Sequence, residues 1–317
     1  MWKFLNYNLR PWKQVERKII IEILNELRFM GYPISQYRYI GMPSIFYYDF
    51  ILFYKYLYIQ DMIGFESKPI KKRMEFNKPY DFIKIKNWEI WRSWCKSHFS
   101  KKVILWLDYI SSLDRSKLDE ISKIIPELKQ GSIIMVTVSS EYPIKDIEKF
   151  NKKINQFGDF LTLDGGIDNI DQLNSKNLSS FYFWCLKTCI KSTLHTHKPD
   201  MGAEPLFNIE YKDWSQMASF GFIIDKQKKT KDIQNFLKKY KQDICSNISD
   251  TYKIDIPILT NKEKTYINKM QETLKEELKQ TSPSLTTIFS QFEIDLDEIR
   301  SYLRHSKYDP NYFEWLV

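Results

Sequence analysis

An α/β fold, with a doubly wound parallel sheet that ends in an antiparallel hairpin, is what this 317-residue sequence predicts. Three observations predict it. From Tyr37 to about Phe157 strand-like apolar runs alternate with helix-length runs, which places parallel strands beneath helices on both faces. The runs "VILWL" and "SIIMVTV" are almost continuously apolar, as strands buried on both faces are. After these, the alternation gives way to "PLFNIEYKDWSQMASFGFIID", which reads as two strands in succession with a polar turn near Ser215 and Gln216.

The elements follow in order. From Gln14 to Met30, Val15, Ile19, Ile20, Ile23, Leu24 and Leu27 keep helical spacing, and Gly31 and Pro33 end the helix. "YRYIGM" is a first strand, "SIFYYDFILFYKYL" a helix, "DMIGFE" a second strand and "DFIKIK" a third. "NWEIWRSWCKSHF" is helical, and "KKVILWLDY" is the fourth strand. Asp114 stands as N-cap to the helix "DRSKLDEISKIIPEL", before the fifth strand "GSIIMVTVS". Helices are expected from Ile144 to about Phe157 and from Ser179 to about Thr193. Five parallel strands and then a hairpin make seven strands, in the Rossmann-like order of class I S-adenosylmethionine-dependent methyltransferases; dehydrogenases lack that ending. Residues 1–33 read as a helical N-terminal extension, 34–226 as the sheet domain and 227–317 as a helical C-terminal appendage. In the appendage, Thr260 with Glu263 forms a capping box, and "DLDEIRSYLRHSK" gives a further helix.

Composition narrows the class. No apolar run reaches the roughly 18 residues of a membrane span, and Asp49 and Lys55 break the greasiest stretch. The opening "MWKFLNYNLRPWK" has no secretory pattern. Four cysteines without paired spacing suit reduced thiols and a cytoplasmic location. A net charge of +8 favours phosphate-bearing partners, and "KPIKKR" (Lys68 to Arg73) and "DKQKKTKD" (Asp225 to Asp232) are the densest basic clusters. G-x-S-x-G elbows, Walker loops and zinc ribbons are absent. His195 and His197 with Asp200 or Glu204 make a weak ligand set without a third histidine, so no metal is expected.

Ligands of open α/β sheets bind outside the carboxyl ends of the strands, where strand order reverses. Gly41, Met42 and Ser44 follow the first strand, and Asp49 lies in the helix after it. That turn is either a cofactor loop presenting backbone N–H groups and a helix N-terminus, or a plain turn. Glu66 closes the second strand, where an acid suits the two hydroxyls of a ribose, with Ser67 beside it; a surface glutamate is the other reading. After the third strand Asn87 offers an adenine-edge hydrogen bond and Trp88 a stacking face. Asp108 and Tyr109 end the fourth strand, and an acid there orients a nucleophile, acts as base, holds an ammonium group, or is structural.

The phrases "YIGMPSIFYYDFILFYKYLYIQDMIGFE", "FNKPYDFIKIK", "VILWLDY" and "GSIIMVTV", with the endings "IPILTNKEKTYINKM" and "IRSYLRHSKYDPNYFEWLV", resemble a bacterial family named "putative O-methyltransferase". The likeness runs from about Tyr37 to the end. It implies a class I methyltransferase fold, S-adenosylmethionine as cofactor near Gly41, Asp49 and Glu66, and Asp108 with Tyr109 as the fourth-strand catalytic motif. Ile110 and Ser111 stand where the family pattern has a second acid and a glycine, and "NWE" replaces a glycine-containing loop. The methyl acceptor is left open. The alternative is an inactive methyltransferase-like scaffold that binds a nucleic acid or protein partner, for instance in a bacterial defence system.

Overall fold

The computed structural model describes residues 10–66, 71–87, 98–143, 145–161, 169–240, 244, 250–272 and 294–309. Eight strands form one sheet in the order β3-β2-β1-β4-β5-β7-β6-β8. They are β1 (Arg38–Gly41), β2 (Asp61–Glu66), β3 (Ile83–Asn87), β4 (Val103–Ser112), β5 (Ser132–Ser139), β6 (Met201–Asp213), β7 (Ser215–Lys226) and β8 (Tyr252–Ile254). β1 to β5 pair in parallel, β7 inserts antiparallel between β5 and β6, and β8 pairs in parallel with β6. This is the class I methyltransferase order, with one strand more than the seven expected. "TYKIDI" hides β8, because three residues in charged surroundings give no readable alternation.

The helices are α1 (Pro11–Phe29), α2 (Tyr48–Leu57), α3 (Lys71–Phe76), α4 (Arg115–Ile124), α5 (Ile147–Asn155), α6 (Leu178–His197), α7 (Gln227–Tyr240), α8 (Asn261–Lys269) and α9 (Leu296–His305). Pro11 starts α1 with its φ already set for a helix, and Gly31 (φ 82°) lets the chain turn away afterwards. Asp114 caps α4 by accepting from the Lys117 backbone N–H at 3.1 Å. Capping boxes at Thr260/Glu263 and Asp295/Glu298 start α8 and α9. The expected helix from Ser44 is shorter: residues 44–47 form a turn, and α2 starts only after Tyr47, which holds a left-handed φ of 50°. The helix read in "NWEIWRSWCKSHF" lies almost wholly outside the described residues.

The hairpin turns at Trp214, between the paired Asp213 and Ser215, and not at Ser215–Gln216. Trp214 is exposed and left-handed (φ 65°). A non-glycine residue seldom adopts that conformation, so the expected turn near Ser215 and Gln216 falls one residue earlier than its polar residues suggest.

α1 and α2 cover one face of the sheet and α4 the other. Adjacent residues of β4 show this: Asp108 meets α1, while Tyr109 lies under Lys117 of α4 at 5.4 Å. Beneath α2, Tyr39 packs edge-on to Phe50 (ring centroids 4.8 Å apart) and Phe53 stacks on Trp106 (6.0 Å). α1 packs on β6, α2 and α7. It is also tied to the far end of the sequence: Lys18 Nζ donates to the Tyr308 carbonyl at 2.8 Å, and the Tyr308 hydroxyl donates to Glu22. The main core takes in Ile233, Leu237, Tyr252 and Ile254 beyond the hairpin, and Ile267, Ile294, Ile299 and Tyr302 form a second, small cluster. No helix among the described residues is long and apolar enough to cross a membrane.

Candidate functional site

β1 is shorter than both its neighbours, and the site is built on that difference. Gly41, its last residue, pairs with Gly64, and Ile40 pairs with Leu105. Glu66 lies two residues beyond Gly64 and pairs with Asn87, and Asp108 lies two beyond Trp106, the residue level with Gly41. Glu66, Asn87 and Asp108 therefore stand at one height, about 7 Å above the end of β1 by the rise of a strand. β2 and β4 flank the missing strand at a separation of about 10 Å, two interstrand spacings. A notch of this shape, where the chain leaves β1 first to one side and then to the other, is the ligand position of open α/β sheets.

The loop from Met42 leaves the floor of this notch. Pro43 lies over Gly64, and a Cβ on Gly64 would come within 2.6 Å of the Pro43 ring, so only glycine lets the loop cross β2 so closely. A Cβ on Gly41 would meet the Tyr39 hydroxyl at 2.5 Å. Gly41 thus makes room for a buried tyrosine as well as ending β1. Met42 packs half-buried against the core, and Ser44 accepts from the Phe46 N–H (3.2 Å) at its hydroxyl and from the Tyr47 N–H (3.1 Å) at its carbonyl. Tyr47 is pinned in turn by its hydroxyl, which donates to the Met74 carbonyl at 2.7 Å.

A charged cluster stands beneath α1 on the same side. Arg17 is wholly buried; its Nε donates to Asp49 Oδ1, its Nη1 to Glu16 Oε2 at 2.9 Å, and its Nη2 is 3.6 Å from Asp108 Oδ2. Lys13 Nζ stands 3.8 Å from the same Asp108 oxygen. Burial opposes the Arg17 charge, but Asp49, Glu16 and Asp108 outweigh it and hold the guanidinium well above its usual value. Burial likewise pushes the Glu16 carboxyl up, against the pull of Arg17, Lys13 and Ser219. The hydrogen bonds run on into the sheet: Ser219 donates to Glu16, shares a hydrogen bond with Thr137 (2.7 Å), and Thr137 accepts from Trp106 Nε1 (3.0 Å).

The structure therefore gathers Gly41, Glu66, Asn87 and Asp108 around one notch. Asp49 belongs to the buried cluster, as the acceptor of the Arg17 hydrogen bond. Asp108 and Tyr109 face opposite ways. Burial, and then the Glu120 carboxylate, hold the Tyr109 hydroxyl well above its ordinary value, on the α4 side of the sheet. Ser67 and Trp88 lie outside the described residues. His195 and His197 fall in the last turn of α6.

Lys13, Glu16 and Arg17 were not identifiable as site residues from sequence. One signal existed: "VERKIIIEIL" is apolar around most of its circumference, and of its four charges Glu16 and Arg17 are buried while Lys18 and Glu22 are partly exposed.

A family model described as "putative O-methyltransferase" matches residues 5–317. Comparison with curated proteins gave no match. Among solved structures, the chain resembles Trm1 from Pyrococcus horikoshii, in complex with S-adenosyl-L-methionine, at 12% identity and a TM-score of 0.45. That match covers 73% of this chain and 59% of the other, so the chain spans less than two thirds of that protein's length. A protein from Klebsiella pneumoniae described as "a putative O-methyltransferase" matches at 7% identity and TM-score 0.35, covering 67% of this chain and 88% of that one. The O-methyltransferase TomG from Streptomyces achromogenes matches at 8% identity and TM-score 0.35, covering 67% and 86%. At such scores it is the family match that identifies the chain.

Proposed function

The chain belongs to the putative O-methyltransferase family, and on that premise we propose that it transfers a methyl group from S-adenosylmethionine to an acceptor. The observation that carries this reading is the common height of Glu66, Asn87 and Asp108 around the end of β1. The residues suit the cofactor. Glu66 accepts from the two ribose hydroxyls at the end of β2, and Asn87, aligned with it on β3, reads the adenine edge. The Met42–Ser44 loop bounds the methionine side.

When bound, the cofactor supplies an electrophilic methyl carbon on a sulfonium, so the protein's main task is to align a nucleophile. Asp108 is the group placed for this: it follows the buried half of β4, which runs on to Ser112 and does not end at Asp108 and Tyr109 as expected, and Lys13 and Arg17 hold it from the α1 side. It orients the acceptor hydroxyl through a hydrogen bond. Tyr109, turned toward α4, supports the β4–α4 packing behind it. The test is calorimetric titration with S-adenosylmethionine and S-adenosylhomocysteine. Micromolar binding is expected, weakened about tenfold or more by Glu66→Ala through the lost ribose hydrogen bonds. Binding that is absent, or indifferent to Glu66, refutes the assignment.

A second reading, a methyltransferase-like scaffold without turnover, draws on the engagement of both Asp49 and Asp108 by Arg17. It expects a nucleic acid or protein partner and no methyl transfer to any acceptor, and absence of cofactor binding would favour it. Transfer that falls on Asp108→Asn while cofactor affinity holds would favour the enzyme.

A further inference from the structure

At the opposite pole of the sheet lies a second cleft, of about 590 Å³, between α6, the start of β6 and α7. Met201 begins β6 beside Lys226, the end of β7, at the level of the first residues of β5, whereas Glu66, Asn87 and Asp108 stand at the carboxyl ends of the parallel strands. Two helical stripes flank the cleft. Lys187 and Lys191 lie one turn apart on α6, and Gln227, Lys231, Gln234 and Lys238 follow one face of α7. The basic segment "DKQKKTKD" thus forms the β7–α7 junction and lends the cleft Gln227, Thr230 and Lys231.

Four lysines here face one carboxyl, Glu204, on the floor. Lys191, Lys231 and Lys238 make no ion pair with any described residue. Lys187 is held in place by the Trp184 ring, at 4.0 Å from its centroid. A cavity of this volume is the size of a small organic ligand, larger than one phosphate needs. Its floor is mixed, with apolar Met201, Ala203 and Pro205 next to Glu204.

An added peptide strand fits poorly. β8 pairs only with Ile209–Tyr211, which leaves the earlier part of β6, paired with β7 on one side, without a strand on its other edge among the described residues. However, Pro205 has no N–H and the register shifts between Pro205 and Phe207, both devices that spoil an edge for pairing.

We propose that this cleft binds a nucleoside phosphate, with the phosphates on the lysines of α6 and α7 and the nucleoside on the β6 floor. Lysine ammonium groups from two sides neutralise a polyphosphate, while Glu204, Gln227 and Gln234 offer hydrogen bonds to sugar and base. Burial pushes the Glu204 carboxyl up to about 7, Lys191, Lys187 and Lys238 pulling against it, so it can donate as well as accept near neutral pH. The site is independent of the methyl-transfer reading.

The full chain is titrated with ATP, adenosine and pyrophosphate by calorimetry at low and moderate salt. ATP is expected to bind, to bind better than adenosine, and to weaken with salt. The double variant Lys191→Glu/Lys238→Glu, exposed positions that leave the core untouched, should lower ATP affinity about tenfold or more. Its circular dichroism should match the parent. Several results overturn the proposal: no ATP binding, equal affinity for adenosine, ATP affinity unchanged in the double variant, or ATP affinity lost on Glu66→Ala, which would place the nucleotide in the β1 notch. Affinity that climbs with oligonucleotide length also overturns it, in favour of an extended nucleic-acid surface.

Discussion

Arg17 of α1 hydrogen-bonds Asp49 of α2 while standing 3.6 Å from Asp108 of β4, so a single buried guanidinium joins three elements. Arg17→Met keeps much of the volume but takes from the buried Asp49 carboxylate its ion-pair partner and leaves Glu16 and Asp108 with only Ser219 and Lys13. The expected loss is about 3–5 kcal/mol, the usual cost of breaking a buried ion pair from one side. Urea unfolding measures it, and a loss below about 1 kcal/mol, the range of surface pairs, would show that the cluster holds little together.

Tyr39 and Gly41 should be energetically coupled. The Tyr39 hydroxyl is buried with no hydrogen-bond partner among the described residues, and it occupies the space a Gly41 side chain would need. Tyr39→Phe alone should therefore be close to neutral. Gly41→Ala should cost about 1–3 kcal/mol as overpacking, and part of that should return in the double variant. A double-mutant cycle with no coupling would mean that the loop moves instead of the ring.

Glu204 gives stability a pH dependence of definite sign. Its carboxyl is raised from 4.5 to about 7, first by burial. Between those values the folded chain keeps a proton that the unfolded chain has released. Stability is then full at the acid side and declines as pH rises through the window. Partial solvent access limits the change to about 1 kcal/mol. Thermal unfolding followed across the window should show the decline, and Glu204→Gln should flatten it. A slope of opposite sign would place the charged carboxylate in a favourable environment.

The Thr260 capping box predicts a local effect. The Thr260 hydroxyl accepts from the Glu263 N–H (3.3 Å), and the Glu263 carboxylate accepts from the Thr260 N–H (2.6 Å). Thr260→Ala should weaken α8 by about 1 kcal/mol, seen as faster amide exchange in that helix with little change in the sheet. Faster exchange throughout would instead tie α8 to the global transition.

These sites also show where the sequence was readable. The parallel strands were, because "VILWL" and "SIIMVTV" carry their burial in composition alone, and Asp114 and Thr260 announced their helices by local chemistry. Glu66 closes β2 as "DMIGFE" suggested, whereas β4 continues past Asp108 to Ser112, because its last residues are too polar to read as strand. The Arg17 cluster did not follow, since its meaning depends on Asp49 and Ser219, residues distant in the chain that only the fold brings together. Tyr109 was misleading for a related reason: neighbours in sequence point to opposite faces of a strand. The hairpin itself was readable, and only its exact turning point at Trp214 was not, because it rests on an unusual backbone conformation at a residue type that rarely adopts one.

The bonds from α1 to Ser219 and Tyr308 bear on how the protein folds. The Arg17 bond to Asp49 spans 32 residues, whereas those from α1 to Ser219 and Tyr308 span 203 and 290. Contacts closed across such separations are the slow part of folding, so α1 meets α2 early and is fully secured late.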